Sequence, residues 1–225
     1  WLPMCAVRQR LLQRGYLPID APSLAPLLAW SAVGTPADAV SLARSRNNRA
    51  VIRYGLRLIN ASDRAPWQAM RKIMKKEGPF STKDISHGVG PRINARGRMS
   101  DPLASLQFLT TTQQDQADYL AALLESENEA RKGVERTMTA VAMEIASVQA
   151  QAGMAGLVIH LPDGHSGVHG ITASRIVEAF GRPTCCLPPK QGKPGVLTGS
   201  LRAVAGVHVR RALATVAEAH PDLLL

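Results

Sequence analysis

The sequence predicts an α/β chain that is mainly helical in its first part and alternates strands with helices in its last part. Leucines and alanines recur at three- and four-residue spacing in the first third. Between residues 112 and 152 the only glycine or proline is Gly133, and a strand, helix, strand pattern follows Gly153. These changes predict three regions, residues 1–111, 112–152 and 153–225.

Several helices are predicted in the first region from its apolar spacing. We place them at residues 1–13, 23–33 and 47–60, with another after Pro66. Ser81 followed by Asp84 has the spacing of a capping box and predicts the start of a short helix. We expect that helix to end at Gly88-Val89-Gly90-Pro91, because glycine and proline there oppose its continuation.

The second region is predicted to form one very long helix from Thr112, which has an acidic residue three positions later. Its leucines and alanines alternate with charged residues. This pattern favours a partly exposed connector between two domains over a buried core helix.

The third region is predicted to be a small α/β unit. We expect strands at residues 157–161 and 184–187 and near residues 196–204, with helices at 171–180 and 207–220. Cys185 and Cys186 fall in the second strand, where packing is expected of them. Three cysteines without a disulfide or CxxC pattern favour a reducing, cytoplasmic location. No apolar run is long enough to cross a membrane, so no membrane association is expected.

Basic charge is concentrated in the first hundred residues. The chain has a net charge of +10, and residues 1–100 hold 17 basic and 5 acidic side chains, whereas residues 101–225 hold 10 and 12. Such an excess suits a polyanionic partner such as nucleic acid. A solvated, merely soluble surface is the alternative explanation.

The segment Gly88–Met99 combines three glycines, a proline, three arginines and an asparagine. Glycine lets a backbone approach a ligand closely, and the arginine fork matches phosphate oxygens. We therefore expect an irregular loop that holds phosphates. The alternative is a tight turn with solvated arginines.

Four segments of the chain resemble RecJ exonucleases of the DHH phosphoesterase superfamily. Residues 90–98, Gly-Pro-Arg-Ile-Asn-Ala-Arg-Gly-Arg, resemble that family's GPRxNAxGR signature. Residues 31–42 resemble its A-x-G-T-x-A-D-V-V-x-L segment, with Asn-Asn-Arg following. Residues 165–175, and residues 199–202 with the helix after them, resemble the DHHA1 domain. The resemblance implies the end of a DHH domain, a connecting helix and a partial DHHA1 domain.

The resemblance also implies roles for individual residues. Asp38 matches a ligand of the catalytic Mn²⁺ or Mg²⁺ ions, and His165 matches a histidine that reaches phosphate or the metal centre. The residues matching contacts to the nucleic-acid backbone are Arg92, Asn94 and Arg98. Those matching the DHHA1 residues that hold a 5′-terminal phosphate are Ser200 and Arg202.

The function implied by the resemblance is metal-dependent 5′→3′ hydrolysis of single-stranded DNA in repair and recombination. The substrate would be single-stranded DNA with a 5′ end, and a helicase or single-strand-binding protein is a possible partner. Two-metal catalysis needs several ligands, and these 225 residues contain no Asp-His-His triplet. The other ligands are expected before Trp1, so the chain alone should be inactive. A degenerate nucleic-acid-binding homologue, or a phosphodiesterase acting on short oligonucleotides, remains an alternative.

The sequence departs from the family pattern at four positions. Pro36 precedes Asp38 by two residues, Arg96 replaces a common alanine, Leu201 replaces a glycine, and Ala203 replaces a serine. A side chain at Leu201 could obstruct the close approach of phosphate to the backbone.

Overall fold

A computed structural model describes residues 1–38, 40–99, 101–190 and 192–222, and it divides into two compact units. The first unit is Trp1–Asn128 and the second is Glu129–Leu225. The first is helical and the second contains a small mixed sheet, which confirms the predicted fold class. The three predicted domain boundaries stay a prediction.

The first unit is built from helices joined by short segments. Their bounds are α1 (Leu2–Gln13), α2 (Leu28–Ala37), α3 (Arg46–Asn60), α4 (Ala65–Ile73), α5 (Thr82–Asp84), α6 (Gly90–Met99) and α7 (Leu103–Thr110). The helix α8 (Gln114–Gln151) begins in this unit and ends in the second. It was predicted from Thr112 onward, and the prediction is confirmed within two residues.

Two tryptophan rings pack against each other at a tilt in the first unit, one in its core and one against it. The ring centroids of Trp30 and Trp67 are 4.7 Å apart, and Trp67 is fully buried. Phe108 from α7 and Leu124 from α8 belong to the same core. The apolar spacing read from the sequence therefore corresponds to helix faces that meet in one core.

Polar side chains fix the ends of the helices in this unit. The Ser45 hydroxyl accepts a hydrogen bond from the Asn48 amide at 3.2 Å and caps α3. The predicted capping box at Ser81 and Asp84 is confirmed. Hydrogen bonds from Ser81 hold the pKa of the Asp84 carboxyl below its usual value, with Lys76 adding to the effect. Because capping satisfies donors that the first turn leaves without partners, these residues define where each helix begins.

Two helix predictions are wrong in detail. The helix predicted at residues 23–33 is α2 at Leu28–Ala37, after a 3-10 turn at Ala25–Leu27. The stretch Gly88–Met99 is helical instead of irregular, because a π turn at Ile85–Val89 leads directly into α6. Pro91 lies in the first turn of α6, directly after the π turn, so the helical stretch continues through this proline.

Besides the second part of α8, the described residues of the second unit form three strands and two helices. The strands are β1 (Leu157–His160), β2 (Thr184–Leu187) and β3 (Ser200–Arg202), and the helices are α9 (His169–Phe180) and α10 (Val209–Ala219). The sheet order is β1-β2-β3, with β1 and β2 parallel and β2 and β3 antiparallel. The parallel pair with α9 between its strands is the predicted strand, helix, strand unit.

The core of the second unit lies between the sheet, α9 and the second half of α8. It includes Leu157, Ile159, Ile176 and Cys186, all almost completely buried. Burial raises the pKa of Cys186 to about 12, with the neighbouring Cys185 adding to the effect. At neutral pH the Cys186 side chain is therefore a neutral thiol that packs in the core, as predicted.

A side chain covers the free edge of β1. The Gln149 amide donates to the Val158 carbonyl at 2.7 Å and accepts from the Val158 amide at 2.9 Å. These two bonds replace those that a neighbouring strand would make. No helix in the described ranges is long and apolar enough to cross a membrane.

Candidate nucleic-acid interface

Asp38 lies at the C-terminal end of α2. Its amide donates to the Gly34 carbonyl at 3.0 Å, and its side chain is exposed. Pro36 lies inside the last turn of the same helix. The helix continues through this proline to Ala37, so the departure from the family pattern does not prevent the helix from reaching Asp38.

One open cavity of about 410 Å³ brings Asp38 together with two of the residues predicted to bind nucleic acid, Asn94 and Arg98. The cavity is lined by Asp38, Ile93, Asn94, Gly97, Arg98, Pro102 and Ser105. Asn94 and Arg98 are exposed and occur four residues apart on α6, so they share one helix face. The Asp38 carboxylate thus lies near the Asn94 amide and the Arg98 guanidinium, although more than fifty residues separate Asp38 from these two residues in sequence.

Arg92 is held by a carboxylate of its own unit. Its Nη2 donates to Oε1 of Glu125 at 2.9 Å, its Nε lies against Oε2 of the same residue, and its Nη1 donates to the Gly88 carbonyl at 2.9 Å. Only 13% of the Arg92 side chain is exposed. The guanidinium is therefore fixed between α6 and α8 by two hydrogen bonds and an ion pair.

Arg96, the residue that replaces the family's common alanine, is held in a similar way. Its Nη1 forms an ion pair with Glu127, and its Nε donates to the Asp101 carbonyl at 2.8 Å. The pairs formed by Arg92 and Arg96 join residues 33 and 31 positions apart. Glu125 and Glu127 were not predicted, because a pairing at that separation leaves no local pattern in the sequence.

Two glycines of the segment Gly88–Met99 pack closely against side chains of the first unit. A Cβ at Gly88 would lie 2.3 Å from the Met74 methyl carbon, and a Cβ at Gly90 would lie 2.9 Å from the Ala37 Cβ. Both glycines are buried. They allow α6 and the π turn to approach neighbouring side chains, and this packing differs from the phosphate contact expected from the sequence.

In the second unit, Ser200 and Arg202 of β3 lie beside the first turn of α9. A Cβ built on Gly170 would lie 3.1 Å from the Ser200 Oγ and 2.9 Å from the Arg202 Nη2. Gly170 is the second residue of α9, so the positive end of the helix dipole lies at the same place. A hydroxyl, a guanidinium and a helix N-terminus are the groups that bind phosphate in many proteins.

Leu201 does not lie at the corner that Gly170, Ser200 and Arg202 form. It lies between Ser200 and Arg202 on β3, and alternate residues of a strand point to opposite faces. It pairs with Cys185, whereas Ser200 pairs with the buried Cys186. The Leu201 side chain therefore lies on the sheet face opposite to Ser200 and Arg202.

His165 is half-buried and takes part in a local turn. Its Nδ1 accepts a hydrogen bond from the Gly167 amide at 3.0 Å, and its carbonyl accepts one from the Val168 amide. It also lines a mainly apolar cavity of about 350 Å³ with Val134 and Met138. The hydrogen bond fixes the ring orientation, and because Nδ1 accepts, the ring proton lies on Nε2.

The described residues do not by themselves complete a two-metal site. Asp38 offers one hard carboxylate, whereas two divalent ions require several oxygen and nitrogen ligands. Within the described ranges, no group of three or more His, Cys, Asp or Glu side chains is placed to hold a metal ion.

The chain combines a helical unit that carries a basic signature helix with an α/β unit in which Ser200, Arg202 and the start of α9 lie together, an arrangement consistent with the DHH phosphoesterase class that the sequence resembles. The chain is RecJ-like over nearly its whole length. It is 34% identical over 230 aligned residues to the single-stranded-DNA-specific exonuclease RecJ of Dickeya dadantii, and 35% identical over 230 to that of Salmonella typhimurium. Each alignment covers 99% of the chain and 39% of the relative. No protein-family model matches the chain.

A solved structure agrees with these relatives. The chain is similar to the crystal structure of RecJ from Thermus thermophilus in complex with Mg²⁺, with a TM-score of 0.75 and 30% identity. The similarity covers 92% of this chain and 31% of that one. A structure of the same protein with Mn²⁺ has the same TM-score. The chain thus spans about two fifths of the length of its curated relatives.

Proposed function

We propose that this chain is the substrate-holding part of a RecJ-like exonuclease that degrades single-stranded DNA from its 5′ end with Mn²⁺ or Mg²⁺. The observation that carries the proposal is the cavity that joins Asp38 to Asn94 and Arg98. The relatives are named as single-stranded-DNA-specific exonucleases, which supports the substrate and the reaction.

The residues take different parts in this proposal. Asn94 and Arg98 contact the strand next to Asp38, which ligates a divalent ion together with ligands beyond those described. Arg92 is held by Glu125 and the Gly88 carbonyl, and it positions α6 beside the strand. His165 donates to a phosphate through Nε2, because its Nδ1 already accepts from the Gly167 amide.

Ser200 and Arg202 bind the 5′-terminal phosphate beside Gly170. A terminal phosphate carries more negative charge than an internal one, and only a strand end can present it. Binding at this corner therefore gives the enzyme its 5′→3′ polarity. In this proposal Asn94 and Arg98 of the first unit contact the strand, and Ser200 and Arg202 of the second unit bind its terminal phosphate.

The test of the proposal is binding of single strands that differ only in a 5′-phosphate. We expect the purified chain to prefer the 5′-phosphorylated strand and S200A/R202Q to lose that preference, with fluorescence anisotropy as the measurement. N94A/R98Q should weaken binding of both strands equally. Equal binding of the two strands by the unmodified chain would contradict end recognition.

A companion experiment tests the division of catalytic groups. With Mn²⁺ the purified chain should not degrade 5′-phosphorylated single strands, because Asp38 is one ligand of several. Degradation that Asp38→Ala abolishes would show that these residues suffice for catalysis. Binding without cleavage, combined with loss of the 5′-phosphate preference, would favour the non-catalytic binding protein.

A further inference from the structure

One face of α3 carries a row of arginines that the proposed function does not use. Arg46, Arg49, Arg53 and Arg57 are exposed and follow one another at spacings of three, four and four residues. At 3.6 residues per turn they lie within about 80° of arc and extend for about 16 Å along the helix. Val51, Ile52, Gly55 and Ile59 form the opposite, buried face.

The charge of this row is not balanced by acidic residues. Between Asp38 and Asp63 the sequence contains five arginines and no acidic residue. The row makes no ion pair within the described part of the chain. Like charges at three- and four-residue spacing destabilise a helix. If this surface were only solvated, a glutamate among the arginines would make the helix more stable.

The surroundings of the row fit a single strand of nucleic acid. Tyr54 is 51% exposed, and the Arg57 guanidinium lies 5.4 Å from the centroid of its ring. An aromatic ring beside cations offers a surface on which a base can stack. Next to the row, an open cavity of about 360 Å³ is lined by Leu42, Arg49, Ile52, Arg53, Leu56 and Thr82.

The arginines of the row differ in their contacts. The Arg49 Nη1 donates to the Leu42 carbonyl at 2.5 Å and to the Ala43 carbonyl at 3.1 Å, and so it also secures the segment before α3. Arg53 and Arg57 are the better candidates for direct contact with a ligand. Their guanidinium groups can bind phosphate oxygens through two parallel hydrogen bonds.

We infer that this arginine row is a second binding surface for single-stranded nucleic acid, which contacts internal phosphates and stacks a base on Tyr54. The inference rests on the proposed function in that both use the same strand as ligand. Because the row recognises internal phosphates, its contribution does not depend on the 5′ end. It should therefore grow with strand length.

The test compares R53Q/R57Q with R10Q/R14Q, which removes the same charge from exposed positions at the end of α1 in the same unit. Anisotropy titrations use short and long oligothymidylates, with and without a 5′-phosphate, between about 50 and 200 mM salt. Thermal unfolding of each variant confirms that it is folded.

For R53Q/R57Q we expect the salt slope on the long strand to fall by about 1.4, since each phosphate contact contributes about 0.7. Affinity for the long strand at low salt should fall on the order of tenfold, equally with and without the 5′-phosphate. The short strand should change less, and R10Q/R14Q should bind as the unmodified chain does.

Three results would overturn the inference. The first is an unchanged affinity of R53Q/R57Q for the long strand, and the second is an equal loss of affinity in R53Q/R57Q and R10Q/R14Q. The third is tighter binding of polyglutamate than of oligothymidylate by the unmodified chain, lost in R53Q/R57Q, which would identify an acidic protein surface as the partner of the row. A failure of the proposed 5′-phosphate recognition would give a different result. The 5′-phosphate preference would then be missing from the unmodified chain, while the R53Q/R57Q effect on long strands would persist.

Discussion

The two candidate phosphate sites are built in different ways. In the first unit, Arg92 and Arg96 of α6 are paired with Glu125 and Glu127, and the exposed Arg98 lines the cavity with Asp38. In the second unit, Ser200 and Arg202 lie on a short strand at the start of a helix. Two arginines of the signature helix are thus engaged by carboxylates of their own unit and hold that helix in place. The second site instead combines a short strand with the first turn of a helix.

The largest effect that tests this comparison is expected from Glu125→Ala. The change leaves the mostly buried guanidinium of Arg92 without its carboxylate, so we expect a loss of about 2 kcal/mol in the free energy of unfolding, measured by urea denaturation. Glu77→Ala, at an exposed carboxylate of the same unit, is the control and should change stability little. If both variants have the same stability, Arg92 is not held as described.

A second test concerns the corner at Gly170. In Gly170→Ala the methyl group would lie against the Ser200 Oγ and the Arg202 Nη2, so the preference for a 5′-phosphate should fall about tenfold, or ~1.4 kcal/mol. The measurement is the ratio of affinities for strands with and without the phosphate. Gly133→Ala is a matched control, because it adds a methyl group in open space on α8 and should leave the ratio unchanged.

The third test addresses the start of the helical stretch that leads to α6. Ser81→Ala removes the capping box and should cost about 1 kcal/mol near neutral pH. The Ser81 backbone amide, which the variant retains, and the Ser81 hydroxyl, which it lacks, both lower the folded-state pKa of Asp84. The hydroxyl's contribution is present above the unfolded-state pKa of about 3.9 and is lost as pH falls through the folded value. Unfolding measured at several pH values should therefore show the difference shrinking in acid. A constant difference would contradict this coupling.

The smallest effect is expected at Leu201. Since its side chain lies on the sheet face opposite to Ser200, Leu201→Gly should leave affinity for the 5′-phosphate unchanged, although glycine should lower stability by roughly 0.5–1 kcal/mol. Tighter binding by this variant would show that the leucine obstructs phosphate. Leu201→Val, which retains an apolar side chain, separates the stability loss from any change in binding.

Local patterns predicted much of this fold. The caps at Ser81 and the long glycine-poor run of α8 depend on residues close in sequence, and both were predicted. The helical state of Gly88–Met99 was not, because its glycines are needed for contacts with Met74 and Ala37, which are distant in the chain. Composition alone could not distinguish such packing from contact with a ligand.

The candidate site was predictable to a similar degree. The resemblance named Asp38, Asn94 and Arg98, and the structure places them around one cavity. Their roles, and those of Arg92, His165, Ser200 and Arg202, remain predictions. The spacing of the arginines in α3 is visible in the sequence as a row on one helix face. The roles of Glu125 and Glu127 are not visible there, because their partners Arg92 and Arg96 are more than thirty residues away.

The π turn at Ile85–Val89 has a consequence for how this chain tolerates insertions and deletions. A π turn contains one residue more than the α-helical turn it replaces, and that residue sets the rotational phase of α6. Removing one residue there would rotate the rest of the helix by about 100°. Asn94 and Arg98 would then point away from Asp38 even with every side chain of the signature unchanged, so the length of this segment is as strict a requirement as its residues.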